Sequence, residues 1–158
     1  MYMGSVYFIE TTKNEKDSLI FSISEYLFSK NFYLQIICST VDRARKLDTF
    51  LWTFSRSSFV GHKILHQASE ETFLNEVVIC PSEFDVAHYN NIMFDKKFNF
   101  SLLRNKIRSF TFIIKDDPAK LEETRAIWKE ASKRGLSAQH VPYSQGSNFF
   151  YHIQKNEN

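Results

Sequence analysis

Glycine is scarce in this chain. Gly4, Gly61, Gly135 and Gly146 are the four among 158 residues. Loops that cradle phosphate depend on glycine, for close backbone approach and for turns with positive φ. Neither GxGxxG nor GxxxxGK[ST] can be drawn from these four, so binding of ATP or a dinucleotide by those devices is excluded. Cysteine is scarcer still. Cys38 and Cys80 lie in apolar runs (IICS and VVIC), without CxxC spacing, and read as two buried thiols of a reducing compartment. No run approaches the roughly 18 apolar residues of a membrane span, and the first residues lack a signal-peptide pattern. The sequence therefore reads as cytosolic and free of a membrane. No GxSxG elbow is present, and neither thiol has an evident histidine partner in sequence. The net charge of +2 is small and names no partner, where a strongly basic nucleic-acid binder would show more.

What is present suits one domain of ordinary size. The hydrophobic fraction is 43% and the charged fraction 24%, enough to bury a core without disulfide or metal. Phenylalanine is abundant, at 16 residues. Residues 1–150 read as a single domain and 151–158 as a polar tail.

Continuous apolar runs predict strands at 5–10, 33–38, 76–81, 90–95 and 109–116, with a return to the sheet in LSAQHVPY (136–143). Helical spacing predicts helices near 15–30, 41–54, 98–108 and 117–135. Ser39 or Thr40 suits the cap of the second. The last is the clearest, with Asp117 as cap, Pro118 in the first turn and Gly135 at C′. Strands alternating with helices predict an α/β fold: a three-layer, Rossmann-like domain with a mostly parallel central sheet and helices on both faces.

Candidate chemistry is sparse. His62 and His66 are four apart, but their segment reads as loop or strand and no third ligand is evident, so no metal site is expected. Asp116 and Asp117 form a carboxylate pair at a strand–helix junction, where α/β active sites often lie, though a helix cap explains them as well. Lys96, Lys97, Arg104, Lys106 and Arg108, with Phe98 and Phe100 among them, would suit either a single-stranded nucleic acid or a solvated basic face. On the helix at 117–135, Leu121, Arg125, Trp128 and, less squarely, Lys129 share a face or its border. Thr124, Ile127 and Ala131 fit a different, core-facing stripe. An arginine beside an aromatic slot can take an apolar side chain and a carboxylate together, which is one way to grip a peptide's C-terminus.

The stretch LWTFSRSSFVGH (51–62) is unusual in another way. Trp52, Phe54 and Phe59 straddle a helix end and an irregular loop. Large aromatics bury about 150–250 Å² each when covered. Either this loop folds back on its own core or something else covers it.

LDTFLWTFSRSSFVGH closely resembles a segment of the chi subunit of bacterial DNA polymerase III. That family has a helix with a Leu-Asp-x-x-Leu-Trp pattern leading to a Ser-Phe-Val-x-His loop. Here the positions are Leu47, Asp48, Leu51 and Trp52, then Ser58, Phe59, Val60 and His62. The later run RAIWKEASKRG resembles the family's Arg-x-x-aromatic-Lys helix ending in Gly, at Arg125, Trp128, Lys129 and Gly135. Element order is similar over nearly the whole chain, but these two stretches carry the likeness.

The resemblance implies a non-catalytic domain without cofactor. It implies binding of the acidic, Phe-ending C-terminal tail of single-stranded-DNA-binding protein at Arg125, Trp128 and Lys129, with Lys120 beside them. It also implies a contact with the psi subunit, and through it the clamp loader, at Trp52, Phe59, Val60 and His62. DNA would then be contacted mainly indirectly. Two departures stand out: Leu121 occupies a position where family members carry a basic residue, and Gly61 one where proline is common. A small Rossmann-like nucleotide-binding protein or enzyme, acting near Asp116 and Asp117, is the alternative from another class.

Overall fold

The computed structural model describes residues 4–70 and 76–143. Seven strands form one sheet, every neighbouring pair parallel. In chain order the elements are β1 (Ser5–Thr11), α1 (Lys16–Ser29), β2 (Leu34–Ile37), α2 (Val41–Thr53), β3 (His62–Ile64), β4 (Val77–Cys80), β5 (Asn91–Phe94), β6 (Arg108–Ile114), α3 (Pro118–Lys133) and β7 (Ser137–Val141). Across the sheet the order is β3-β4-β2-β5-β6-β1-β7, which leaves β3 and β7 at opposite edges.

An all-parallel sheet is covered on both faces, and its strands read as unbroken apolar runs. LQII of β2, VVIC of β4 and NIMF of β5 are buried throughout. On one face α1 and α2 pack through Ile20, Ile23, Leu27, Ala44, Leu47 and Leu51 against Tyr7, Ile9, Ile36, Ile79 and Phe110. Burying each large aliphatic side chain contributes about 1.5–3 kcal/mol. On the other face α3 supplies Ile127 and Ala131, and the irregular chain between β4 and β6 supplies Val86, Tyr89 and Phe98. The three-layer reading holds, with one helix rather than several on that second face.

Local chemistry explains the helix ends. Thr40 caps α2 by accepting the Arg43 N–H at 3.0 Å. Asp117 caps α3 by accepting the Lys120 N–H at 3.3 Å. Gly135 ends α3 at φ 80°, letting the Leu136 N–H reach the Ala131 carbonyl at 3.0 Å.

The expected helix over 98–108 is corrected: it shrinks to a single 3-10 turn, Phe100–Leu102. Asn99 starts this turn with its side chain on the Ser101 N–H, at 3.0 Å. Asn105, at φ 65°, breaks any continuation. Two inward pulls finish the change. Lys106 turns its ammonium onto the Tyr89 carbonyl and Asp85, and Arg108 opens β6 by donating to Asn91 Oδ1 at 2.9 Å. The segment at 62–66, left open between loop and strand, contributes the short edge strand β3. The tail at 151–158 lies outside the described residues.

One buried polar atom stands without a hydrogen-bond partner among the described residues, the hydroxyl of Ser24 inside α1. An unsatisfied buried hydroxyl is destabilising, and alanine is the better helix former. Ser24→Ala is therefore expected to raise stability by about 1 kcal/mol, read as a higher thermal midpoint. A lowered midpoint would refute this.

Candidate functional site

Two surfaces collect the residues singled out from sequence. The first is an aromatic ridge at the β3 edge. Helix α2 buries Ala44, Leu47 and Leu51, which leaves Trp52 on the far side, 55% exposed. The loop after α2 then brings Phe59 up beside it, at a ring separation of 6.0 Å and 63% exposed. Their position is set from below. Val60 is buried, and the His62 ring packs 4.6 Å under Trp52. His62 Nδ1 lies 2.7 Å from the Val60 carbonyl, and Nε2 lies 3.1 Å from both the Asp48 carbonyl and its carboxylate. All three of these oxygens are hydrogen-bond acceptors, so both ring nitrogens are met by polar partners.

The four residues carried over from the likeness thus divide into two tasks. Trp52 and Phe59 present apolar surface, while Val60 and His62 hold it in place. The Gly61 departure has a local account as well. A Cβ there would come within 3.0 Å of the Phe28 ring, which itself packs edge-on against Phe59 at 6.0 Å. Phe28 of α1 fills the space that a larger residue at 61 would need. Phe54, exposed on the other flank of α2, packs on Phe21 and Phe50 at 4.9 and 4.8 Å. The loop therefore does both things: Val60 folds back on the core, and Trp52 and Phe59 do not.

The second surface is a slot of about 360 Å³ between α3 and the β7 edge, on the opposite face of the sheet. Its floor is Phe8 of β1 and Ile113 of β6. One wall is α3, through Leu121, Thr124, Arg125 and Trp128; the other is Glu10 of β1 and His140 of β7. Trp128 is half-buried and meets Phe8 edge-on at 4.8 Å. Arg125 extends into solvent, 72% exposed, with a 3.4 Å contact to Glu122 on the same helix. Such exposed pairs contribute little, so the guanidinium can change partner readily.

The other two members of the expected set stand apart. Lys129 is exposed beyond the slot, and Lys120 borders a separate small depression with Lys16 and Asp95. Leu121 adds apolar surface to the slot. Thr124, assigned from sequence to the core stripe, is half-buried and borders both depressions.

The remaining candidates are absorbed by the fold. Asp117 is the α3 cap, and Asp116 Oδ1 accepts the Lys13 backbone N–H at 3.1 Å. Of two depressions near that sheet end, the one lined by Lys16, Asp95 and Thr124 measures about 50 Å³, and the one lined by Thr11, Glu15 and Tyr143 about 340 Å³. The basic set is broken up. Lys106 and Arg108 are buried, Arg108 with its guanidinium 4.5 Å over Phe32, and Lys96 pairs with Glu83 at 2.8 Å. Phe98 is buried, and Phe100 is capped by Arg134 at 4.5 Å. Among the described residues no group of three or more His, Cys, Asp and Glu is placed to hold a metal. Burial pushes both Cys38 and Cys80 thiols up to about 12, which makes them unreactive. No described helix is long and apolar enough to cross a membrane.

The parallel, doubly covered α/β domain thus carries an aromatic ridge at one edge and an apolar slot beside an exposed arginine at the other. The family comparison places the chain. The family model described as "DNA polymerase III chi subunit, HolC" matches residues 3–139, and the chain belongs to that family. It is thus an accessory subunit of DNA polymerase III by family. No curated protein matches the chain.

Proposed function

We propose that this chain is a non-catalytic connector within DNA polymerase III. The slot on α3 takes the acidic C-terminal tail of single-stranded-DNA-binding protein. The Trp52–Phe59 ridge takes the psi subunit, or an equivalent clamp-loader component. The observation that carries this reading is the separation of the two surfaces: they lie on opposite faces and at opposite edges of the sheet, so each can be occupied without obstructing the other.

Physical chemistry assigns the roles. The last aromatic ring of the tail lies on Phe8, Ile113 and Leu121 with Trp128 as its wall. Its terminal carboxylate takes Arg125 in place of Glu122, in the bidentate geometry that a guanidinium suits. Lys129 attracts the acidic residues further up the peptide. At the other surface, Trp52 and Phe59 serve as apolar anchors with Ser57, Ser58 and Arg56 as a polar rim.

Titration with a short acidic peptide ending in Phe, followed by tryptophan fluorescence, tests the slot. A scrambled, amidated peptide is the control. Arg125→Ala is expected to weaken binding by about 1.5–3 kcal/mol, the range for hydrogen bonds to charged groups. Binding is also expected to fall with salt, because exposed charges are screened over about 8 Å at physiological ionic strength. Unchanged affinity in the variant would sink the assignment. Phe59→Ala probes the other surface: loss of psi association with tail affinity unaltered is expected, and retention of psi would remove the ridge from the reading.

A further inference from the structure

The slot is charged unevenly. Its α3 wall carries Arg125, and its sheet wall carries Glu10. A carboxylate is out of place in a site read as taking an acidic peptide. It is also firmly held. His140 Nε2 donates to Glu10 Oε2 at 3.0 Å, and the Tyr143 backbone N–H donates to the same oxygen at 3.1 Å. Tyr143 is fixed in turn by its hydroxyl on Glu15 and by the Lys115 ammonium 4.6 Å over its ring. Both hydrogen bonds to Glu10 fall on Oε2, which leaves Oε1 without a partner among the described residues. His140 is half-exposed and belongs to the edge strand, just past the stretch that the family model matches.

We propose that Glu10, oriented by His140, is the specificity-determining residue of this slot. It repels peptide carboxylates from the sheet wall and turns them toward Arg125. Glu10 therefore sets the direction in which an acidic peptide lies across α3. This rests on the reading of the slot as a tail site. The charged groups around it are Arg125 and Glu122 on α3, His140 on β7, and Glu15 and Lys115 beyond Tyr143. Arg125 is the exposed cation that borders the slot.

Glu10→Gln tests the proposal because the glutamine amide oxygen still accepts from both His140 and Tyr143 while the negative charge is lost. Calorimetry would compare a short acidic peptide ending in Phe with the same peptide carrying asparagine in place of its aspartates. Glu10→Gln is expected to tighten the acidic peptide about two- to five-fold at low salt, as the loss of one nearby like charge predicts. The gain is expected to shrink for the asparagine peptide and to vanish at high salt. His140→Ala frees the carboxylate toward the slot and is expected to weaken the acidic peptide. The double variant is expected to return to the affinity of Glu10→Gln alone. Should Glu10→Gln leave the acidic peptide unaffected while Arg125→Ala abolishes binding, the tail reading stands and Glu10 is only a staple for β7. Should the wild-type protein take neither peptide, both readings fall.

Discussion

Asp95→Asn is expected to destabilise the fold by about 3 kcal/mol, because removing one partner from a buried ion cluster leaves the others uncompensated. The Asp95 side chain is 1% exposed at the end of β5. Its Oδ2 accepts from Arg43 Nε at 2.6 Å, and its Oδ1 takes Lys16 Nζ at 2.7 Å and Arg43 Nη2 at 3.0 Å. Arg43 also holds Asp17, at 2.6 Å. Lys16 and Arg43 lie in the first turns of α1 and α2, where the helix dipole disfavours cations. Asp95 and Asp17 offset that cost, and in doing so fix both helix starts to the sheet. Burial opposes ionisation of Asp95, yet the Arg43 hydrogen bond and the Lys16 and Arg43 charges outweigh it and hold the carboxyl below its ordinary value. A depressed folded-state value gives stability that is present above the unfolded value and lost as pH falls through the folded one. Wild-type stability should therefore decline as pH drops from the ordinary carboxylate value of 3.8 toward the depressed one. The asparagine variant should lack this component. Urea unfolding at pH 7 and at successive acidic pH values measures both, and parallel curves for the two proteins would refute the role given to Asp95.

Lys106→Met is expected to cost about 1–3 kcal/mol, the range for leaving buried acceptors unsatisfied, since the Tyr89 and Val86 carbonyls lose their donor while the half-exposed Asp85 returns to water. The side chain is 2% exposed, with its ammonium on the Tyr89 carbonyl and the Asp85 carboxylate and 3.5 Å from the Val86 carbonyl. Methionine matches its length and supplies no donor. Gln35 holds the same segment from the sheet, donating to the Phe84 carbonyl at 2.7 Å and accepting the Val86 N–H at 3.3 Å. Local opening of residues 84–90 is therefore expected to precede global unfolding in the variant. Hydrogen exchange at Val86 and Tyr89 reads this directly. Protection equal to wild type would show that Gln35 alone suffices.

The order of elements was legible because buried parallel strands announce themselves as β-branched runs, as in QII and VVI. The span 98–108 misled for a physical reason. Phe98, Leu102, Leu103 and Ile107 repeat at helical spacing, but the pull on Lys106 and Arg108 comes from Asp85, Tyr89 and Asn91, which no local pattern reveals. The same division runs through the sites. Arg125 and Trp128 are three apart on one helix, and Trp52 sits at a fixed step from Leu51, so each wall made by a helix could be read. The facing wall could not. Glu10 and His140 are separated by 130 positions and meet only because β1 pairs with β7. The cluster of Asp17, Arg43 and Asp95 was hidden likewise, joined across 26 and 52 positions.

The two surfaces at the two edges give the sheet a further meaning. Strands stand about 4.8 Å apart, so the six steps from β3 to β7 set those edges roughly 29 Å apart across a stiff, hydrogen-bonded plate. Whatever occupies one edge is held at a fixed span from whatever occupies the other, without touching it. On the reading proposed above, a partner at the ridge and a partner at the slot become joined at that span, so any later encounter between those two occurs within one assembly rather than between free molecules. A rigid spacer does this without any change of shape, and the two occupancies are then expected to be energetically independent.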